Sequence, residues 1–329
     1  MKKIATIDIM KGISIILVVI GHACVPSIYS QYFDVRVLYI LVNAIHMPVF
    51  FYISGYLYKS ALDRRISRVI KDKARRLLIP YIGMSTFVYV LIQACRMFPK
   101  LSVFLPMTEG TVIEYLKGIV WYGNNCDKHL WFLYVLFVIM IVYWFTNKIM
   151  VNSKMHFIFA IIMLLVGETL MPRGYELGKI FYYYFFFHLG VEQYVCLDGE
   201  HKVTVRRVVV FIVLMFIYVT VYVNSMGVHS QLIWFMNPAI GYLGIVIMRD
   251  ICSVISSTTL QYIGKNSMGI YLWHQPFITS GTVVVLNSLG GVNRSIAVTV
   301  GVIMGVILPL IISRCWNALC LHRGKVSTH

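Results

Sequence analysis

Apolar residues occur along the chain in long runs separated by short polar segments. The runs lie near residues 4–25, 38–58, 78–97, 130–147, 156–171, 179–197, 207–224, 231–248, 268–288 and 295–313. Most of them approach the roughly 20 residues that a helix needs to cross a bilayer. The pattern therefore predicts an all-α, polytopic membrane protein with about ten transmembrane helices.

Composition and charge support a multi-pass membrane protein. Of the 329 residues, 59% are hydrophobic and 13% are charged, and the mean hydropathy is +0.77. No segment resembles a soluble domain, so we expect one transmembrane domain over residues 1–329, embedded in the lipid bilayer. With the N-terminus inside, about 21 Lys and Arg residues fall on the cytoplasmic side and about 8 outside. The net charge of +16 therefore indicates topology and not nucleic-acid binding, and both termini are predicted to be cytoplasmic.

The first apolar run carries three ionisable residues. Lys11 and His22 are separated by 11 positions, so on one helix they share a face about 16 Å apart, with Asp8 within about 60° of both. Charges that face lipid are costly, which indicates a cavity lined by protein. Lys11 would bind an anion and His22 would act as a general base. The alternative is a snorkelling lysine and a histidine that hydrogen-bonds a neighbouring helix.

A strongly basic segment follows the second run. Seven Lys and Arg residues lie between positions 64 and 76, and they include Lys73, Arg75 and Arg76. They either anchor the cytoplasmic side of the membrane or clamp phosphate groups. The seven cysteines are scattered without a CxxC motif or metal-ligand spacing. We expect no metal and no permanently bound cofactor.

Four further residues in apolar runs are candidates for the site. His46 should lie at a depth similar to that of His22, either beside it or simply within a packing motif around Pro48. Trp131 opens the fourth run and is either an interfacial anchor or part of the site. Tyr271 and His274 lie three positions apart on one helix face, where they form either an intramembrane hydrogen-bonded pair or a substrate contact. Tyr271, Trp131 and backbone amides are the available oxyanion donors.

Five segments in order resemble the membrane acyltransferase 3 family, within it the branch described as fucose 4-O-acetylase-like. They are IDIMKGISIILVVIGH, HMPVFFYISGYLY, KARRLLIPY, HLWFLYVLF and YIGKNSMGIYLWHQP, between residues 7 and 276. The resemblance implies a ten-helix enzyme of the bacterial inner membrane. Such an enzyme moves an acyl group, commonly acetyl from acetyl-CoA, onto a carbohydrate hydroxyl.

The resemblance also implies residue roles. His22 would be the catalytic histidine of the family's Arg/Lys-x10-His motif, with Lys11 as its basic partner. The family's Arg-x-x-Arg element would fall on Lys73 and Arg76, where the first position is Lys. We therefore expect His22, Asp8 and His46 in catalysis, Lys11, Lys73, Arg75 and Arg76 on the acyl-CoA donor, and Trp131, Tyr271 and His274 on the carbohydrate acceptor.

Three functional hypotheses follow from the sequence. The first is an O-acyltransferase, most simply an O-acetyltransferase, that acts on a cell-surface glycan or its lipid-linked precursor. The second is a transporter or flippase for an anionic lipid or sugar, with Lys11 and His22 along the pathway. The third is a non-catalytic membrane partner of an envelope-assembly complex. Transfer directly to the acceptor and transfer through a covalent acyl-enzyme are both compatible with these residues.

Overall fold

The computed structural model describes residues 2–29, 31–97, 111–121, 128–150, 152–170, 176–197, 203–224 and 231–326. Within these ranges the regular secondary structure consists of α-helices, short 3₁₀ turns and one π-helical turn, and no strand occurs. The α-helices are α1 (Lys2–Ala23), α2 (Pro26–Tyr29), α3 (Phe33–Tyr58), α4 (Ile66–Lys73), α5 (Ile79–Arg96), α6 (Val112–Trp121), α7 (Trp131–Ile149), α8 (Ser153–Leu170), α9 (Glu176–Val191), α10 (Val205–Asn224), α11 (Gln231–Val254), α12 (Thr258–Lys265), α13 (Ser267–Trp273), α14 (Thr279–Ser288) and α15 (Arg294–Val326). The predicted all-α class is confirmed.

Eight helical segments in the described ranges are long and apolar enough to cross a membrane. They correspond to eight of the ten predicted runs. The run near 179–197 forms the shorter helix α9, which has 16 residues. The run near 268–288 was predicted as one helix, and this is wrong because α13 and α14 are separate. The chain is a multi-pass membrane protein by these criteria, and the total of ten spans and the cytoplasmic termini stay predictions.

The basic segment before the third span is mostly helical and not a loop. Helix α4, a π-helical turn over Ala74–Leu78 and helix α5 follow one another without a break. Pro80 has no N–H, and its ring clashes with the carbonyl four residues earlier in a regular helix. The Ile79 N–H instead bonds Ala74 O, five residues back. The wider turn therefore accommodates Pro80, and it carries Arg75 and Arg76.

By its internal contacts the chain divides into two compact units. The first unit comprises residues 1–46, 198–203 and 248–329, and the second comprises residues 47–197 and 204–247. The single domain expected over residues 1–329 stays a prediction.

Glycines bring the helices of the first unit close together. Gly12 of α1 lies against the backbone of Leu260 in α12, and Gly264 of α12 lies against the backbone of Asp8 in α1. Gly301 and Gly305 of α15 lie against Thr279 at the start of α14. Small residues allow membrane helices to approach at backbone distance, which side-chain packing alone would prevent. Helix α1 is thereby enclosed by α12, α14 and α15.

In the second unit, glycines also bring α3, α8 and α9 close together. Gly55 of α3 lies against the Phe187 carbonyl of α9, and Gly190 of α9 lies against the Tyr52 carbonyl of α3. Gly167 of α8 lies against Tyr182 of α9. The space around these close contacts is filled by buried aromatic side chains, such as Phe51, Tyr143, Tyr184, Phe186 and Phe187.

Candidate active site

Helix α1 runs without interruption from Lys2 to Ala23. Eleven residues of regular helix therefore separate Lys11 from His22, which corresponds to about 16 Å along the axis. Asp8 is buried with 7% exposure, whereas Lys11 and His22 are half-buried. The carboxylate of Asp8 acts electrostatically on Lys11 one turn away. The structure thus places all three predicted residues on one helix that is enclosed by protein.

The last turn of α1 presents His22 to the segment between α13 and α14. The imidazole rings of His22 and His274 have centroids 5.1 Å apart and an interplanar angle of 61°. The Ser280 hydroxyl donates a hydrogen bond of 3.1 Å to the His22 carbonyl oxygen. Gln275 Nε2 in turn donates to Ser280 Oγ at 2.7 Å. A chain of polar groups therefore fixes the end of α1 that carries the candidate base.

Hydrogen bonds define the orientation of His274. Its Nδ1 lies 2.9 Å from the Tyr271 carbonyl oxygen and 3.1 Å from the Ile270 carbonyl oxygen. Because carbonyls only accept hydrogen bonds, Nδ1 carries the proton and Nε2 presents a lone pair when the ring is neutral. The rings of Tyr271 and His274 are 6.0 Å apart. The predicted pair is thus adjacent, and its hydrogen bond runs through the Tyr271 backbone.

The chain leaves helical geometry between His274 and Thr279. Pro276 lacks an N–H and disfavours helix at the preceding residue, which explains why the predicted span is divided. The Thr279 N–H bonds the His274 carbonyl at 2.8 Å, and His274 and Thr279 are fully buried. Irregular backbone at membrane depth is tolerated only where protein or water covers it. The broken helix therefore marks an interior polar region next to His22.

His46 is buried on α3 with 5% exposure. The hydrogen bond that the structure gives its ring joins Nδ1 to the Val42 carbonyl oxygen of the same helix at 2.6 Å. The α-carbon of Gly21 in α1 faces the side chains of Val42 and Asn43. His46 is therefore one helical turn from the point where α1 meets α3.

Two of the predicted donor-binding residues line a pocket in the second unit. The pocket has a volume of about 160 Å³. Its polar lining includes Lys73 and Arg76, together with Arg64 and Asp72. Lys73 Nζ lies 5.1 Å from the centre of the Tyr58 ring, and Arg64 forms an ion pair of 3.6 Å with Asp72. The excess of positive groups makes this pocket suited to a phosphate.

The other two predicted residues of the second unit lie elsewhere. Arg75 is exposed and is not part of the pocket lining. Trp131 is half-buried among aromatic rings, with centroids 6.2 Å from Phe51 and 5.4 Å from Tyr183. The ammonium of Lys179 lies 4.6 Å from the centre of the Trp131 ring. Trp131 is thus packed against α3 and α9 and also contacts a cation.

Sequence reasoning missed several polar residues of the first unit. Gln275 and Ser280 were not among the candidates, although polar residues around Pro276 inside an apolar run were the available signal. Arg249 was also not among the candidates, and it lies near the end of α11, which continues to Val254. Arg249 is buried, and its guanidinium donates bonds of 2.8 and 2.6 Å to the carboxylate of buried Asp250.

The residues around His22 combine a half-buried imidazole, a cation on the same helix and a buried polar segment. A half-buried imidazole on a fixed helix end can accept a proton from a hydroxyl group. Lys11 on the same helix can bind an anion. A protein-enclosed polar region can hold an acceptor without exposing polar groups to lipid.

Comparison with known proteins identifies relatives of the chain. A family model described as an acyltransferase domain matches residues 4–314. Nodulation protein NolL of Mesorhizobium japonicum is 26% identical over 220 residues, which cover 60% of this chain and 56% of that protein. Nodulation protein NolL of Sinorhizobium fredii is 32% identical over 134 residues, which cover 40% of this chain and 33% of that protein. The matches thus span about half of the length of the first relative and about a third of the length of the second. No solved structure matches the chain. Since the family model covers nearly the whole sequence, the chain belongs to the acyltransferase 3 family.

Proposed function

We propose that this acyltransferase moves an acyl group, most simply acetyl, from cytoplasmic acyl-CoA to a hydroxyl of a cell-surface glycan or its lipid-linked precursor. The enzyme would act in the bacterial inner membrane. The observation that carries the proposal is the position of His22, at the end of an enclosed membrane helix and against the buried break between α13 and α14. A base in this position can meet a donor and an acceptor that approach from opposite sides of the membrane.

The proposed donor is held through its phosphates. Lys11 lies about 16 Å from His22 along α1, which is of the same order as the length of an extended coenzyme A. Lys73 and Arg76 line a pocket with a surplus of cationic groups, and guanidinium groups bind phosphate through paired hydrogen bonds. Arg75 would add to the positive field from its exposed position.

The proposed reaction is a direct transfer with His22 as general base. Its imidazole takes the proton from the acceptor hydroxyl while the hydroxyl oxygen attacks the thioester carbonyl. The carbon–sulfur bond then breaks, and the departing coenzyme A thiolate takes the proton from the imidazolium. An ester and free coenzyme A are formed, and His22 returns to its neutral state. Tyr271 is a candidate donor to the oxyanion that forms during attack.

The remaining candidates have supporting roles in the proposal. His274 lies against the His22 ring and would orient it or the acceptor. Asp8 would set the charge balance at Lys11, one turn away. His46 would support the contact between α1 and α3 at Gly21, the residue before His22. Trp131 would offer an aromatic face to the sugar ring.

Replacement of His22 tests the proposal. We expect His22→Ala to reduce acyl transfer by about 10²–10⁴-fold, the range for loss of a general base. Surface glycans from cells with and without the protein are compared by mass spectrometry for the mass of one acyl group. The variant should still be present in the membrane at wild-type level and should still bind coenzyme A.

Ser14→Ala is the matched control on the same helix. Ser14 is fully buried, and its hydroxyl bonds none of the residues that the structure describes, so Ser14→Ala changes a buried position of α1 without breaking a hydrogen bond or removing the imidazole. We expect the control to acylate normally. If glycans from His22→Ala cells carry as many acyl groups as glycans from wild-type cells, then His22 is not the base. A trapped acyl group on the protein during turnover would replace direct transfer with the covalent route.

A further inference from the structure

Two histidines and one glutamate meet at one end of the α8–α9 pair in the second unit. His156, His188 and Glu192 each offer one ligand atom, and these atoms lie within 4.8 Å of one another. His156 is in the first turn of α8, and His188 and Glu192 are one helical turn apart on α9 and its C-cap. The rings of the two histidines have centroids 4.7 Å apart.

His188 has a buried nitrogen that lacks a hydrogen-bond partner within the described part of the chain. The residue is completely buried, and Nε2 makes no hydrogen bond with any of the residues that the structure describes. Nδ1, by contrast, lies 3.0 Å from the Tyr143 hydroxyl. A buried polar atom without a partner is costly, and such an atom calls for an explanation in each structure that has one. A metal ion bound at Nε2 would supply the missing interaction.

Tyrosine hydroxyls hold both imidazoles in place. Tyr143 bonds His188, and the Tyr184 hydroxyl lies 2.7 Å from Nε2 of His156. Metal-binding histidines generally use one nitrogen for the metal while the other donates to an oxygen that fixes the ring. Each imidazole therefore keeps one nitrogen that is available to a metal.

The end of α9 places the glutamate at the cluster. Gln193 has a φ of 56°, its N–H bonds the Gly190 carbonyl, and the Tyr194 N–H bonds the Leu189 carbonyl, both at 3.1 Å. These two bonds close the helix as a Schellman motif with Glu192 as the C-cap residue. A carboxylate at a helix C-terminus is unfavourable because it meets the negative end of the helix dipole. A bound cation would offset this repulsion.

We propose that His156, His188 and Glu192 bind a divalent transition-metal ion, with zinc as the preferred ion. Two imidazoles and one carboxylate are a known zinc donor set, in which a fourth position is open to water. Neighbouring ligand atoms around tetrahedral zinc are about 3.4 Å apart. The ligand atoms of His156, His188 and Glu192, which lie within 4.8 Å of one another, therefore reach this distance with side-chain shifts of about 1 Å. The ion would tie α8 to α9. The proposal departs from the sequence expectation of no metal, which considered cysteine spacing alone.

Metal content of the purified protein tests the site independently of acyl transfer. The protein is purified in detergent through a tag without histidine, loaded with zinc, freed of unbound metal by gel filtration and measured by mass spectrometry of the elements. We expect about one zinc per chain in the wild type and less than about a tenth of that in His188→Ala and Glu192→Gln. His46→Ala, which removes another buried histidine that lies outside the cluster, should keep the full amount.

A second measurement covers the case in which His188→Ala does not fold. Cobalt(II) bound to the wild-type protein in a four-coordinate site gives visible absorption bands. Added zinc should displace the cobalt, and the bands should then disappear. Glu192→Gln, a replacement of nearly equal shape at a half-buried position, should lack these bands. Wild-type protein without stoichiometric zinc and without cobalt bands would overturn the proposal. Equal zinc in the cluster variants and in His46→Ala would overturn it as well.

Discussion

Gly264 stands where α12 crosses α1, and the backbone of α1 leaves no space for a larger residue there. A Cβ atom on Gly264 would overlap the Asp8 carbonyl oxygen, lie 2.7 Å from the Asp8 carbonyl carbon and lie 3.0 Å from the Gly12 nitrogen. All three obstacles are backbone atoms, so no side-chain rotation relieves the overlap. The substitution Gly264→Ala therefore forces the two helices apart.

The size of the effect follows from this geometry. Carbon atoms in contact are normally about 3.5–4.0 Å apart, so the helices must separate by about 1 Å. Overpacking of this kind costs about 1–3 kcal/mol, and the upper part of this range applies because backbone must move. The alanine recovers up to about 1 kcal/mol of helix propensity. We expect a net decrease of about 1–2 kcal/mol in the free energy of unfolding.

Gly83→Ala is the matched control. Gly83 lies within α5, and a Cβ there meets no atom of the described residues within 4 Å. Only the propensity gain remains, so the free energy of unfolding should stay equal or rise by up to about 1 kcal/mol. Gly12→Ala meets the backbone of Leu260 across the same crossing. The double variant Gly12→Ala/Gly264→Ala should therefore cost less than the sum of the single variants.

Unfolding in detergent, followed by helical circular dichroism, measures these differences. Acyl transfer is assayed in parallel because Asp8 and Lys11 lie on the displaced part of α1. We expect Gly264→Ala to lose both stability and activity and Gly83→Ala to lose neither. If Gly264→Ala is as stable as Gly83→Ala, then α1 and α12 do not approach at backbone distance and this part of the fold is wrong.

Three further predictions concern charged residues. Lys11→Ala should raise the KM for the acyl-CoA donor by about 10–100-fold, the value of a hydrogen bond to a charged group; steady-state kinetics check this, and an effect on the acceptor KM alone would contradict it. Arg76→Ala should raise the KM for acyl-CoA more than Arg75→Ala does, because Arg76 lines the pocket. With acetyl-pantetheine as the donor, which has no phosphates, the two variants should have the same KM. Asp250→Ala should lower the free energy of unfolding by about 3–5 kcal/mol, because it leaves Arg249 buried without its carboxylate; unchanged unfolding in detergent would refute this.

Local patterns predicted the features that depend on neighbours in the chain. The apolar run from residue 4 was enough to place Asp8, Lys11 and His22 on one helix, because helical spacing follows from sequence distance alone. The same holds for Tyr271 and His274, three positions apart. Five motifs in family order predicted the acyltransferase 3 family, and the family model over residues 4–314 confirms it.

Features set by partners distant in sequence were beyond such reasoning. Arg249 is buried, and its burial depends on packing that a charged residue near the end of an apolar run does not indicate. The predicted span 268–288 contained Pro276, yet a proline alone bends some helices and divides others. Its effect here depends on the burial of His274 and Thr279 in the surrounding helices. Cysteine spacing gave no hint of the cluster formed by His156, His188 and Glu192.

The division of this predicted span also explains how His22 is positioned. The last four carbonyls of an α-helix have no partner within the helix, and the carbonyl of His22 is one of them in α1. Ser280 supplies a hydrogen bond to it across 258 positions of sequence, and it is available for this contact because α14 begins anew at Thr279. A continuous helix through residues 268–288 would require the regular helical path that Pro276 opposes. The broken helix thus both caps α1 and brings the His274 ring next to His22, so the candidate base and its surroundings are fixed by one structural feature.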